Sequence, residues 1–247
     1  MRAADRLASA GVTAWATRRT AALVAAVDVP DADDGAEIGV DAATLGELAF
    51  AVAVAPPGVT AAAVEAFLLA AGDLLRRVAR DGEAESSAAG LLDIVDGREL
   101  GLSTAAEPVP TAGSDPAAGC AAAFLGMALG AAAVATLRRA FPARQDAQAA
   151  RSALSAAAGP VIETAGGVLG DAAGDALAGV VGAAVQSLTR IAADRAPLVR
   201  VETGVSLPSV VLAYRLYGDP ERSIELVARN RVATPAAMPV VFEAVAP

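Results

Sequence analysis

The chain has 247 residues, 55% hydrophobic and 19% charged, which excludes wholesale disorder and leaves room for one large domain or two modest ones. With 28 acidic side chains, no histidine, and arginine as every one of its 19 cationic residues, its formal net charge is −9; direct DNA binding as the main role is disfavoured. A single cysteine, Cys120, and the lack of histidine exclude an intrachain disulfide, cysteine–histidine zinc sites and Ser-His or Cys-His nucleophile pairs.

Aromatic residues are only 3% of the chain, so core volume must come from many small side chains. Helices faced with alanine and glycine approach closely but bury little area per residue, and are expected to need partners from their own chain or from other subunits. Arginine in place of lysine suits planar, bidentate contacts with carboxylates at protein interfaces.

The first stretch, "MRAADRLASAGVTAWATRRT", reads as part of an amphipathic helix over residues 1–27, with Leu7, Trp15 and Leu23 among its apolar positions, and not as a signal peptide. The expected setting is therefore a cytoplasm, at least until assembly. "DVPDADDGAEIGVD" reads as a loop by its Pro, Gly and Asp content, and Asp31, Asp33 and Asp34 lack the full calcium-loop spacing. No metal site or cofactor is expected. A short helix over 42–54 ends at "APPG", and a longer one follows, with Val64, Phe67, Leu68, Leu74, Leu75 and Val78 at helical spacing and Arg76, Arg77 and Arg80 toward its C-terminus. Residues 1–80 thus form an N-terminal helical region.

Residues 81–116 read as a linker-like segment, with "LLDIV" as a possible short buried element. Ser114, Asp115 and Pro116 then signal a helix start. Ala117–Leu137 carries no charge and is long enough to span a bilayer, but its alanine and glycine content favours a buried helix with small faces. Glycines at 166, 170 and 174 are expected to form a smooth ridge on one helix, a packing feature, since neither phosphate-binding glycine spacing is present. Pro197 ends this alanine-rich helical region, residues 117–197.

Residues 198–247 differ in kind. "LVRVET" alternates as a short strand, and Ser206 is placed to cap a helix entered through Leu207 and Pro208. Leu207, Val210, Val211, Tyr214 and Tyr217 follow helical spacing and are expected to share the inward face. Gly218 suits the helix end, Asp219 the next cap and Pro220 the next first turn. In the second helix Ile224, Val227 and Ala228 are expected inside, with Glu221, Arg222, Glu225 and Arg229 outside. "RVATPAAMP" reads as an extended loop and "VVFEAV" as a second strand. The expected fold is mainly α, with an alanine/glycine-rich helical region followed by a small α+β module of β-α-α-β order.

That order, with "YGDPE" between the helices and "ARN" closing the second, resembles a LysM-like module. More closely, "LPSVVLAYRLYGDPERSIELVARNRV" with its proline-bearing loop resembles the C-terminal end of the Mu-like phage DNA circularisation protein (N protein) family, and "FPARQDAQAARSALSAAAG" is similar to that family's alanine-rich region. The resemblance covers roughly residues 115–247, is strongest over 198–235 and does not extend to 1–110. It implies a structural protein of a contractile phage tail, at the baseplate hub or tube-proximal end, present in the host cytoplasm during assembly. The implied partners are other tail or baseplate proteins and further copies of the chain in a six-fold or three-fold ring.

Tyr214, Arg215, Tyr217, Arg222, Arg229, Asn230 and Arg231 are the candidate docking residues, because tyrosine and arginine dominate interface hot spots. Two other readings stay open: a peptidoglycan- or glycan-binding LysM-type protein, and a small membrane-associated protein held by Ala117–Leu137. No catalytic constellation is evident, and an enzyme is not expected.

Overall fold

The computed structural model describes residues 3–56, 60–96 and 116–246. These are mainly helical and carry one small two-stranded sheet. In chain order the elements are α1 (Ala3–Ala26), α2 (Ala32–Val54), α3 (Thr60–Asp81), α4 (Ala84–Val95), α5 (Pro116–Arg138), α6 (Arg144–Leu169), α7 (Asp171–Asp194), β1 (Leu198–Glu202), α8 (Ser209–Tyr217), α9 (Ser223–Arg229) and β2 (Val241–Val245). They divide into two compact units, the first comprising Met1–Arg139 with Arg151–Ser187 and the second Ala140–Ala150 with Leu188–Pro247. Helices α6 and α7 each contribute residues to both.

In the first unit, α1 to α5 surround a core of Leu23, Leu45, Phe67, Leu74, Leu75, Leu91, Ile94, Phe124 and Leu129. The two largest rings meet edge to face, Trp15 on Phe124, with centroids 5.7 Å apart and planes at 82°. Helix α5 is buried along most of its length, including Cys120, whose thiol is pushed up to about 11 by that burial and so stays protonated at neutral pH. By length and composition alone α5 and α7 are each apolar enough to cross a membrane.

Arginine ties these helices together. Arg77 of α3 pairs with Glu37 and, at 2.9 Å, with Asp41 of α2. Arg138 of α5 donates to the carbonyls of Ala79 (2.7 Å) and Gly82 (3.0 Å), acceptors that the end of α3 leaves without intrahelical partners. Arg139 grips Glu85 of α4 through two bonds of 2.6 Å.

Three expectations change here. The expected loop "DVPDADDGAEIGVD" is mostly helix: Asp31 caps α2 by accepting from the Asp33 and Asp34 N–H groups, so the acidic cluster is helix-start chemistry. The aspartates add favourable charge at the positive end of the helix dipole. The first part of the expected linker is α4, capped by Glu83 and with Leu91, Ile94 and Val95 buried. The rest of that segment, residues 97–115 with Ser114 and Asp115, lies outside the described residues.

The third change concerns the glycine ridge. Gly170, at φ +102°, breaks the run into α6 and α7 instead of lying on one helix. Gly166 and Gly174 then face each other across the hairpin, and a Cβ on Gly174 would sit 3.1 Å from Gly166 Cα and 3.4 Å from the Ile162 carbonyl oxygen. Those obstacles are backbone and cannot swing aside. We therefore expect Gly174→Val to destabilise the protein by about 1–3 kcal/mol. Gly179, in the middle of α7 with open space around it, provides the control: Gly179→Ala should stabilise by about 0.5–1 kcal/mol in the same denaturant titrations.

The cap of α4 is acid-sensitive. Bonds from the Glu85 and Ser86 N–H groups hold the Glu83 carboxyl below the usual carboxylate range. A depressed folded pKa contributes stability that is present at neutral pH and fades as the pH falls through that pKa. Glu83→Gln should flatten the acid limb of the stability profile, read from thermal melts across the acidic range.

Candidate docking module

The second unit is built on an antiparallel strand pair in which Leu198 faces Val245, Arg200 faces Glu243 and Glu202 faces Val241. Helices α8 and α9 connect the strands, giving the expected strand, helix, helix, strand order. The first two turns of α6 and the last two of α7 complete the unit. Gln145 Oε1 accepts from the Leu198 N–H (2.8 Å), and the Ala192 and Ala196 carbonyls accept from Arg144.

The module core consists of Leu212, Ala213, Leu226, Met238, Phe242 and Ala244, with Val201, Leu207, Leu216, Tyr217, Val227 and Val232 packed around it. This corrects the expected faces. Two stripes of α8 satisfy helical spacing, and the buried one is Ser209, Leu212, Ala213, Leu216 and Tyr217. Val210, Val211 and Tyr214 point outward, with Tyr214 64% exposed. The selected stripe holds a serine and an alanine, which let neighbouring backbone close in.

In α9, Leu226 fills the core and Val227 packs at its edge, whereas Ile224 is 77% exposed and Ala228 is exposed too. A 3-10 turn over Pro220–Arg222 precedes this helix, and its three-residue period rotates the α9 face relative to a continuous α-helix. Asp219 caps that turn by accepting from the Glu221 N–H (2.9 Å), with Pro220 in first position as expected. Gly218 adopts φ +71° and donates its N–H to the Tyr214 carbonyl. Ser206 caps nothing; its hydroxyl donates to the Met238 carbonyl (2.7 Å), while Pro208 stands at the α8 N-cap.

Most candidate docking residues prove to have internal contacts. The Tyr217 hydroxyl accepts from the Val245 N–H (3.0 Å), and the Arg222 guanidinium lies 3.7 Å over its ring. Burial, with the negative Glu225 close by, raises the Tyr217 phenol above its ordinary pKa. Arg222 also bonds Glu225 at 2.8 Å. Arg229 is nearly buried and forks onto both Asp146 oxygens at 3.2 and 3.0 Å, a pairing that raises its pKa and keeps it ionised. The expectation that Glu225 and Arg229 face outward is thus corrected: they continue a chain of contacts that runs from the neutral Tyr217 ring through Arg222 to Asp146.

Asn230 acts as a short piece of strand. Its side-chain amide donates to the Glu243 carbonyl and accepts from the Glu243 N–H, both at 2.8 Å, and donates to Leu226. Glu243 would otherwise leave both main-chain groups without a strand partner on that side. Arg231 ends α9: at φ +52° it donates to the Ala228 carbonyl while the Val232 N–H reaches Val227, the Schellman arrangement in which glycine is usual. Tyr214 and Arg215 remain on the outer surface, beside Val210 and Val211.

No group of three or more metal-binding side chains occurs among the described residues. No protein-family model matches the chain, and no curated protein matches it.

Two substitutions separate these internal roles from docking. Arg231→Gly should stabilise the protein by about 1 kcal/mol, because glycine adopts positive φ without the side-chain penalty. Asn230→Ala should destabilise by about 1–3 kcal/mol, since the Glu243 main-chain groups lose their partner. Thermal melting monitored by circular dichroism measures both.

Proposed function

We propose that this protein is a non-enzymatic structural component of a contractile phage tail, located near the baseplate hub or tube-proximal end, and that the C-terminal module docks it to neighbouring tail proteins. The observation that carries the docking role is the outer face of α8. Val210, Val211 and Tyr214 stand at helical spacing in solvent, on a module whose core is complete without them. A tyrosine flanked by aliphatic side chains and by Arg215 has the composition of an interface anchor. The tail setting rests on the resemblance of residues 115–247 to the Mu-like N protein family. The strand, helix, helix, strand order supports a LysM-like reading of the module, and the acidic balance of the chain supports a protein partner over nucleic acid.

Mass spectrometry and immunogold labelling of purified particles from cells expressing the chain test this reading. The expected result is label at the baseplate end, with incorporation lowered at least tenfold by Tyr214→Asp while Arg231→Gly incorporates normally. Absence of the wild-type chain from particles overturns the tail assignment. Retention on purified cell-wall sacculi would then assign the module to glycan, and recovery only with detergent would assign the chain to a membrane.

A further inference from the structure

We propose that the first unit carries a second, independent interface, through which copies of this chain join head to tail by seating the outer ridge of α2 in a groove between α3 and α5 of the next copy. The groove has a volume of about 530 Å³ and is walled by Leu68, Leu69 and Gly72 of α3 and by Met127, Ala131 and Val134 of α5. Leu69, 65% exposed, and the half-exposed Val134 lie open to solvent. Met127 packs beside Gly72 while Arg138 reaches Ala79 and Gly82, so the two helices run parallel and the groove follows them lengthwise. Its rim carries Asp73, Arg76 and Arg80.

The complementary shape lies on α2. Val40, Phe50 and Val54 line its solvent face, with Phe50 69% exposed, and Glu47 is exposed between them. Val40 to Val54 and Leu68 to Arg80 are helical runs of about 21 and 18 Å at 1.5 Å per residue, so ridge and groove match in length. Their charges match as well. The charged residue on the ridge is the acidic Glu47, since Glu37 and Asp41 are taken up by Arg77 of the same copy, and the groove rim carries the exposed Arg76. Arg80 is forked onto the largely buried Asp81, but Arg76 is held by the exposed Asp73 alone, a weak surface pair that an incoming carboxylate can replace. An antiparallel fit brings Phe50 to Leu69 and Glu47 within reach of Arg76.

A copy cannot fill its own groove in this way. Arg77 fastens α2 to another flank of α3 through Glu37 and Asp41, leaving the ridge outward. Ridge and groove are different surfaces of one unit, so the contact is heterologous and propagates into a ring or an open chain. It does not depend on the α8 face and stands or falls apart from the tail assignment.

Sedimentation velocity of the full chain from micromolar to near-millimolar concentration tests the proposal, using a ridge variant, Phe50→Asp, and a groove variant, Leu69→Asp. Both positions are exposed, and circular dichroism checks that each variant folds; Val134→Asp replaces Leu69→Asp should the latter misfold. We expect the wild type to associate beyond a dimer and each variant alone to associate at least tenfold more weakly. An equimolar mixture of the two variants should form a dimer and stop there, because it holds one intact ridge and one intact groove for each pair. A wild type that stays monomeric throughout overturns the proposal, as does association unchanged by either variant. A mixture that remains monomeric overturns the head-to-tail geometry.

Discussion

The structure depends on backbones coming close. With few large side chains available, the helices gain contact by bringing main chain to main chain, and the clearest instance is Gly166 against Gly174, where one added methyl would already press on backbone atoms. Other glycines serve the same end against side chains: a Cβ on Gly90 would strike Leu23, and one on Gly82 would strike Val27 and Ser87. Close packing of this kind recovers dispersion contacts that a small-residue core otherwise forgoes. It also makes the fold intolerant of added volume at those points, whereas Gly130, Gly179 and Gly182 sit in open space.

Shallow burial leaves a second task, which is to fix which helix lies beside which. Alanine faces slide more readily than interlocking leucines, because they carry few knobs to set a register. Arginine supplies the register here through bidentate bonds. The Arg139–Glu85 fork sets α5 against α4, the Arg77 pair sets α3 against α2, and Arg229 on Asp146 sets α9 against the start of α6. Lysine, a compact point charge on a flexible stem, would hold these geometries less tightly. The absence of lysine thus has a structural use inside this chain, whatever the chain docks to.

Elements marked by strong local chemistry were legible in the sequence, and faces were not. Pro116, Pro197, Gly218 and the Asp219–Pro220 pair act at helix ends where their backbone preferences place them, and both strands of the module fall where alternation predicts. The α8 face misled because two stripes fit the same period. Hydrophobicity favoured the one with Val210, Val211 and Tyr214, while packing selected the one with Ser209 and Ala213. Such a choice is made by the neighbours and not by the helix. The α2 start was obscured because Asp31, Asp33 and Asp34 look like loop residues until the first is seen to cap the helix. Tyr217, Arg222, Arg229 and Asn230 drew attention as interface residue types, yet the chemistry that makes tyrosine and arginine useful between proteins also serves inside one.

What remains exposed is therefore more telling than residue type alone. A chain with so few large side chains has every reason to bury them, and mispaired stripes on α8 leave three outside while α2 leaves Val40, Phe50 and Val54 outside as well. Isolated exposed apolar residues are ordinary, but residues recurring at helical spacing along one face form a continuous strip. Such a strip occurs on α8, whereas on α2 Val40, Phe50 and Val54 share one face with Glu47 between them, and a groove of similar length with Arg76 at its rim lies on the same unit. The cores account for part of this pattern: each unit closes on a set of leucine, phenylalanine and other large side chains with alanine filling between them, and these exposed residues lie outside those cores.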